Sequence, residues 1–365
     1  MVLGLLKEGE SENRVAILPE LTDQFIKTGF KVLIESNAGY KSLSPDSTYV
    51  SSGAEIKSKA DVIKESDVIV KINPPTDEEI SLLTEGKIFI SLLQPYSNPE
   101  KISKLKEQKV TAISLEKIPR TSRAQMMDVL SSQASAAGYK AVLTAATNLT
   151  KFFPMFTTAA GSIKPAKVLI LGAGVAGLQA IATAKRLGAI VEVFDTRPAV
   201  KEEVKSLGAK FIEVEGAADA SGAGGYAVEQ SDEYKAKQSA MIAEHSISAD
   251  VIITTAQIPG KKAPLLITND TISKMKPGSV IIDLAASTGG NTEFTKDGET
   301  IIQNGVKIIG NSNLPSTIPY DASKMFGKNI LSLVKLLVKD GKIVLNFDDD
   351  IIKGSVVTHV GDAFI

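Results

Sequence analysis

The feature that most constrains this chain is an apolar run, Lys167-Val-Leu-Ile-Leu171, that ends in Gly172-x-Gly174-x-x-Gly177 and passes into the helical stretch Leu178–Leu187. Each glycine has a separate task. The first allows a tight turn, the second lets backbone approach a pyrophosphate, and the third allows close contact between helix and strand. The helix start then offers free N–H groups and the positive end of its dipole to phosphate. The next apolar run, Val191–Phe194, ends at Asp195, roughly twenty residues after the second glycine, where a carboxylate can bind the adenosine ribose hydroxyls. The motif predicts dinucleotide binding through Gly172, Ala173, Gly174, Val175 and Gly177, with Asp195, Thr196 and Arg197 at the next strand end. A carboxylate at Asp195 repels a 2′-phosphate, so the expected cofactor is NAD(H). Arg197 could attract such a phosphate; it is expected to reach pyrophosphate or stack near the adenine instead.

The rest of the chain repeats this strand–helix alternation. In the first half Val2–Leu6, Val32–Glu35, Val68–Ile72, Ile88–Leu93 and Val110–Ser114 read as strands, and Leu21–Thr28, Ala54–Glu65, Asp77–Leu83 and Pro99–Gln108 as helices. A long helix is expected over Arg123–Thr150, with Ser122 and Gln125 as a capping box and Lys164-Pro165 marking its exit. The second half offers strands at Val168–Leu171, Ile190–Phe194, Lys210–Val214, Val251–Thr254, Val280–Leu284 and Lys307–Ile309, then a helix at Ser323–Val338. The fold class is α/β, with two Rossmann-like domains of doubly wound, mostly parallel sheets separated by a cleft. The expected boundaries place residues 1–122 with 321–365 in a discontinuous N-terminal domain and 123–320 in the nucleotide domain.

Composition removes several alternatives. Aromatic residues make up 5% of the chain and Trp is absent, so aliphatic side chains must build the interior. The net charge is −1 and no long basic run occurs, which leaves no electrostatic footprint for nucleic acid. Cys is absent and the two histidines, His245 and His359, lie far apart, so no metal site is expected. Asp348–Asp350 reads as a solvated acidic turn. The uncharged run Val168–Ala184 is shorter than the roughly 20 residues of a membrane span. A cytoplasmic chain is expected.

Further motifs carry a resemblance. Lys7-Glu8, Glu12-Asn13-Arg14-Val15-Ala16, the Val168–Gly177 loop and Val193-Phe194-Asp195-Thr196-Arg197-Pro198 resemble the family that contains alanine dehydrogenase and the nucleotide-binding alpha component of proton-translocating NAD(P) transhydrogenase. The similarity covers nearly the whole chain. Ile118-Pro119-Arg120 through Gln133 resembles the transhydrogenase loop that contacts the nicotinamide end, which implies catalytic roles for Arg120, Gln125, Asp128 and Ser131. The glycine-rich stretch Glu215–Glu229 is similar to the transhydrogenase mobile loop, which implies a catalytic role for Tyr226, closing over bound nucleotide, and a cofactor contact at Gly225. Gln238 and Gln257 match further nucleotide-contact positions.

One substitution separates the two branches of this family. Alanine dehydrogenases carry a lysine and a histidine for acid–base work and substrate binding. Lys71 stands at the lysine position, where a solvated structural role is expected, but Gln94 stands at the histidine position. An amide cannot remove a proton near neutral pH, whereas hydride transfer between two nicotinamides needs only alignment of reacting atoms roughly 3–3.5 Å apart. The resemblance therefore implies a transhydrogenase alpha component, with an amino-acid dehydrogenase and a non-catalytic nucleotide-binding protein as the alternatives. With a single phosphate-loop fingerprint and no membrane span, NADP(H) and the proton path are expected on partner components. The implied assembly is a homodimer associated peripherally with the inner membrane through those partners, and the chain end at Ile365 suggests a separate soluble component or a shortened chain.

Overall fold

The computed structural model describes residues 1–214, 231–258 and 260–364. The chain forms two compact units, Met1–Gln133 with Pro315–Ile365, and Ala134–Leu314.

The first unit is built on a sheet whose strands are ordered Asp362–Ala363, Val356–His359, Thr111–Ser114, Ile88–Ser91, Val68–Val70, Val2–Leu5, Lys31–Glu35 and Glu55–Lys57. The last six are parallel to one another, and the C-terminal pair adds antiparallel to Thr111–Ser114. Counted in chain order, the six follow the doubly wound pattern, with the topological switch between Val2–Leu5 and Val68–Val70. Every residue of Val68–Val70, Ile88–Ser91 and Thr111–Ser114 is buried, because both faces of the sheet are covered. Alternate residues feed two apolar layers. Val68, Val70 and Ile90 meet Phe326, Ile330 and Val334 of the helix Pro319–Leu337 on one side; Ile69, Phe89, Ile63 and Leu105 fill the other. The helix expected over Ala54–Glu65 is divided. Glu55–Lys57 forms the edge strand, and Ser58 starts the helix Lys59–Glu65 by accepting the Asp61 N–H at 3.2 Å.

The second unit repeats the plan, with strand order Lys210–Ile212, Ile190–Phe194, Lys167–Leu171, Val251–Thr254, Val280–Asp283, Val306–Gly310 and Thr300–Gln303. Only the last is antiparallel to its neighbour. Its topological switch lies between Lys167–Leu171 and Val251–Thr254, where Ile170 pairs with Val193 on one side and Ile253 on the other. Val168 and Ile170 enter one core layer, Leu169 and Leu171 the opposite one.

The long central helix differs from expectation at its start. Ser122–Met127 is a 3-10 turn with no side-chain cap, and the α-helix covers Val129–Asn148. Asp128 supplies the cap instead of Ser122: its Oδ1 accepts the Ser131 N–H at 2.9 Å. The acidic turn is also more than a solvated charge cluster. Asp349 Oδ1 caps the helix Asp350–Ser355 through the Ile351 N–H at 2.9 Å, and Asp349 and Asp350 both hold Arg123. Among the described residues, no helix is long and apolar enough to cross a membrane.

Candidate functional site

The phosphate loop leaves the C-terminal end of Lys167–Leu171, at the switch point of its sheet. Gly172 has φ +104°, a conformation that side chains disfavour, and a Cβ there would lie 2.3 Å from Thr255 Oγ1. Gly177 sits where the helix Val175–Arg186 presses on the turn; a Cβ would stand 1.9 Å from the Gly172 carbonyl oxygen. Gly174 is different. It is the N-cap of that helix, and among the described residues no side chain caps the turn and a Cβ would meet nothing within 4 Å. The loop is therefore rigid where it touches protein and open where a pyrophosphate would approach the first helical N–H groups.

Asp195 braces this loop. Its Oδ2 accepts the Ala173 N–H at 2.7 Å, and its Oδ1 accepts the Arg197 N–H at 2.8 Å. Arg197 folds back onto the same carboxylate. Its Nε and Nη2 grip the two oxygens of Asp195 at 2.8 and 2.7 Å, which holds the guanidinium above its ordinary pKa. Burial and the Asp195 charge push the nearby Tyr234 phenol up as well. Thr196 follows Asp195 and is half-buried. Gln257 lies beyond the end of Val251–Thr254 and donates Nε2 to the Leu284 carbonyl at 3.1 Å. Gln238 is half-buried on the helix Asp232–Ser248. Gly225 and Tyr226, with the rest of residues 215–230, lie outside the described residues.

Arg120, Gln125, Asp128 and Ser131 belong to the first unit. Arg120 and Gln125 are exposed. Asp128 and Ser131 are in direct contact: Asp128 Oδ2 accepts the Ser131 hydroxyl at 2.6 Å in addition to the backbone cap. This pair fixes the junction between the 3-10 turn bearing Gln125 and the helix Val129–Asn148.

The switch point of the first sheet carries a buried polar network that the sequence did not reveal. Glu8 Oε1 accepts the Ile72 N–H at 2.6 Å and Oε2 accepts Asn73 Nδ2 at 3.0 Å, joining the ends of the two switch strands. Burial raises the Glu8 pKa to about 7, against the lowering influence of Lys71. Lys71 is not solvated. It is 3% exposed, and its ammonium donates to both oxygens of Glu79 at 2.9 and 2.8 Å. Arg14 forms a fork on Glu12, Nε to Oε1 at 2.8 Å and Nη2 to Oε2 at 2.7 Å, and donates Nη1 to Gln133 at 2.7 Å. Burial works to raise the Glu12 pKa, but the Arg14 fork wins and holds it below the ordinary value. Gln94 occupies a left-handed backbone position, φ +50°, its N–H donates to Glu116 and its side chain is exposed.

Two buried residues that support the chain beside Gln257 were likewise not apparent from the sequence. Asp283, fully buried at a strand end, accepts from the Ala285 and Asn291 N–H groups and from Thr295 Oγ1. Asn291 in turn brackets Ala256, accepting its N–H at 3.1 Å and donating to its carbonyl at 2.9 Å. No local pattern marks either residue, because their partners are brought together only by the sheet.

Fold and loop together define the NAD-binding dehydrogenase class. Two family models, for the alanine dehydrogenase/PNT N-terminal and C-terminal domains, match residues 4–137 and 141–364, and the chain belongs to that family. It is 45% identical to the NAD(P) transhydrogenase subunit alpha of Haemophilus influenzae, over 99% of this chain and 71% of that one. It is 44% identical to a polypeptide of the NAD(P) transhydrogenase subunit alpha of Rhodospirillum rubrum, over 96% of this chain and 94% of that one. Alanine dehydrogenase of Bacillus subtilis is 30% identical over 87% of this chain and 81% of its own length. The solved structure of transhydrogenase from Sinorhizobium meliloti matches with a TM-score of 0.88 at 40% identity, covering 100% of this chain and 98% of that one.

Proposed function

We propose that this chain is the NAD(H)-binding alpha component of a proton-translocating transhydrogenase. NADH held here passes a hydride to NADP+ held by a partner component, and membrane-spanning partners couple that transfer to proton movement. The observation that carries the reading is the state of the groups an amino-acid dehydrogenase would need. Lys71 is committed to Glu79 in a buried pair, and the exposed side chain at position 94 is an amide. The lysine is buried in its pair rather than presented to a substrate, and an amide cannot remove a proton near neutral pH. A nicotinamide-to-nicotinamide transfer asks nothing of that kind from the protein; bound NADH supplies the hydride, and the chain supplies position.

In this reading the loop of Gly172, Ala173, Gly174, Val175 and Gly177 holds pyrophosphate, and Asp195 binds the adenosine ribose. Arg197 is neutralised by Asp195, which supports NAD(H) over NADP(H), since the guanidinium is not presented to a 2′-phosphate. Arg120, Gln125, Asp128 and Ser131 orient the nicotinamide. Gly225, Tyr226, Gln238 and Gln257 complete the nucleotide contacts by resemblance. Homodimerisation is supported by the hairpin of Phe156–Thr158 and Gly161–Ile163, whose residues are all exposed and which carries Phe156 and Ile163 into solvent beside Phe152 and Met155. Association with the inner membrane is through the partner components.

Two substitutions test the assigned nicotinamide contacts in the complex with its NADP-binding partner. Arg120→Ala and Gln125→Asn are each expected to slow hydride transfer about tenfold or more while NADH affinity changes less than about threefold, because a displaced nicotinamide loses alignment before it loses binding. Stopped-flow transfer rates and NADH fluorescence titrations read the two quantities separately. Unchanged turnover in both variants removes these residues from the site.

A further inference from the structure

We infer that Asn329 is a positioning residue for the nicotinamide-contact segment, acting by locking the main chain between Gln125 and Asp128. The inference rests on the proposed function, and nothing in the sequence motifs points to it.

The segment has little rigidity of its own. Ser122–Met127 is a 3-10 turn, whose internal hydrogen bonds have poorer geometry than those of an α-helix. Gln125 and Met126 are exposed, with Met126 at 74%. Apolar burial at Ala124 and Met127 holds one side of the turn. The orientation of the peptide that follows Gln125 and Met126 needs a directional contact. Asn329 provides it from the buried face of the helix Pro319–Leu337.

Both ends of the Asn329 amide are used. Nδ2 donates to the Met126 carbonyl at 2.9 Å, and Oδ1 accepts the Ser132 hydroxyl at 2.7 Å. Met126 O can only accept, so it fixes which end of the amide faces it. Ser132 lies in the first turn of Val129–Asn148, directly after the Ser131 that Asp128 holds. One side chain therefore ties the last residues of the 3-10 turn to the first turn of the α-helix, underneath Gln125, Asp128 and Ser131. Asn329 is 9% exposed, and its neighbours on the helix, Phe326, Ile330 and Leu333, belong to the apolar core. A buried amide at such a place costs stability relative to a well-packed leucine unless each end is satisfied. Its retention here is accounted for by the two atoms it holds.

The test uses Asn329→Asp, which keeps an acceptor for Ser132 but turns an acceptor toward the Met126 carbonyl, and Asn329→Leu, which keeps the volume without either bond. Hydride transfer from NADH to an NADP analogue is measured in the complex with the NADP-binding partner, with NADH affinity and amide hydrogen exchange of residues 125–128 measured on the alpha component. The expected result for both variants is a transfer rate about tenfold lower, NADH affinity within about twofold, and faster exchange at residues 125–128. The split between rate and affinity is what a merely structural loss would not give. The inference is overturned by unchanged exchange, by an unchanged transfer rate in an active complex, or by rate and affinity falling together. Should the unsubstituted complex transfer no hydride, the transhydrogenase reading fails, and the exchange measurement alone decides whether Asn329 anchors the segment.

Discussion

Gly174→Ala is expected to fold like the unsubstituted chain and to bind NADH at least about tenfold more weakly, whereas Gly177→Ala is expected to lose both stability and binding. The difference follows from what each new methyl group would touch. At position 174 it meets no atom of the described residues within 4 Å and would stand where the proposed pyrophosphate approaches the helix N-terminus. The folded state is unaffected, and the ligand carries the whole penalty. At position 177 the methyl would stand 1.9 Å from the Gly172 carbonyl oxygen and 2.9 Å from its carbon, both backbone atoms. Neither can rotate away, so the helix must lift from the strand, an overpacking cost of about 1–3 kcal/mol. Lifting the helix also withdraws its N–H groups from the phosphate. Thermal melting and fluorescence titration on the two variants separate the cases. Equal affinity for NADH in Gly174→Ala removes the loop from the nucleotide site.

The second large effect concerns the first unit. Lys71→Met is expected to destabilise the protein by about 3–5 kcal/mol, because it strands the Glu79 carboxylate in a buried position. The penalty belongs to an unpaired negative charge held away from water. Adding Glu79→Gln should recover most of the loss at neutral pH. A glutamine removes the charge and can still accept the Thr76 N–H that Glu79 now accepts at 2.7 Å in its capping box. Chemical denaturation of the single and double variants checks this. A single variant as stable as the parent would mean that Lys71 is solvated, as its strand-end position suggests.

That contrast shows where the sequence was legible. The buried parallel strands stood out because a strand covered on both faces needs an unbroken apolar run, and Val68–Val70, Lys167–Leu171 and Val251–Thr254 each supply one. The tight turn at Gly172 and the close helix–strand contact at Gly177 were readable because both are local. Glu55–Lys57 was not, since a short edge strand of charged and apolar residues has no such run and joins a helix after a single serine. The start of the central helix was misplaced by one turn and more, because Ser122 and Asp128 are both competent caps and only Ser131 decides between them. Partners such as Glu8 with Ile72, Lys71 with Glu79 in the buried switch network, and Asn329 with Met126 become neighbours only when the sheet and the returning helix are in place. Their residue types alone suggest side chains turned to water. The proposed nicotinamide contacts were reached through resemblance, as no spacing rule assigns Arg120, Gln125, Asp128 and Ser131 to a cofactor.

Hydride transfer in the reconstituted system tests the central claim most directly. The purified chain is given NADH and an NADP analogue, first alone and then with an NADP-binding partner component, and in parallel NAD with alanine, and NADH with pyruvate and ammonia. The predicted result is no turnover with alanine or with pyruvate and ammonia, none between nucleotides for the chain alone, and rapid transfer once the partner is added. Sustained oxidation of alanine or reductive amination of pyruvate by the chain alone would contradict it and assign the protein to the dehydrogenase branch of its family.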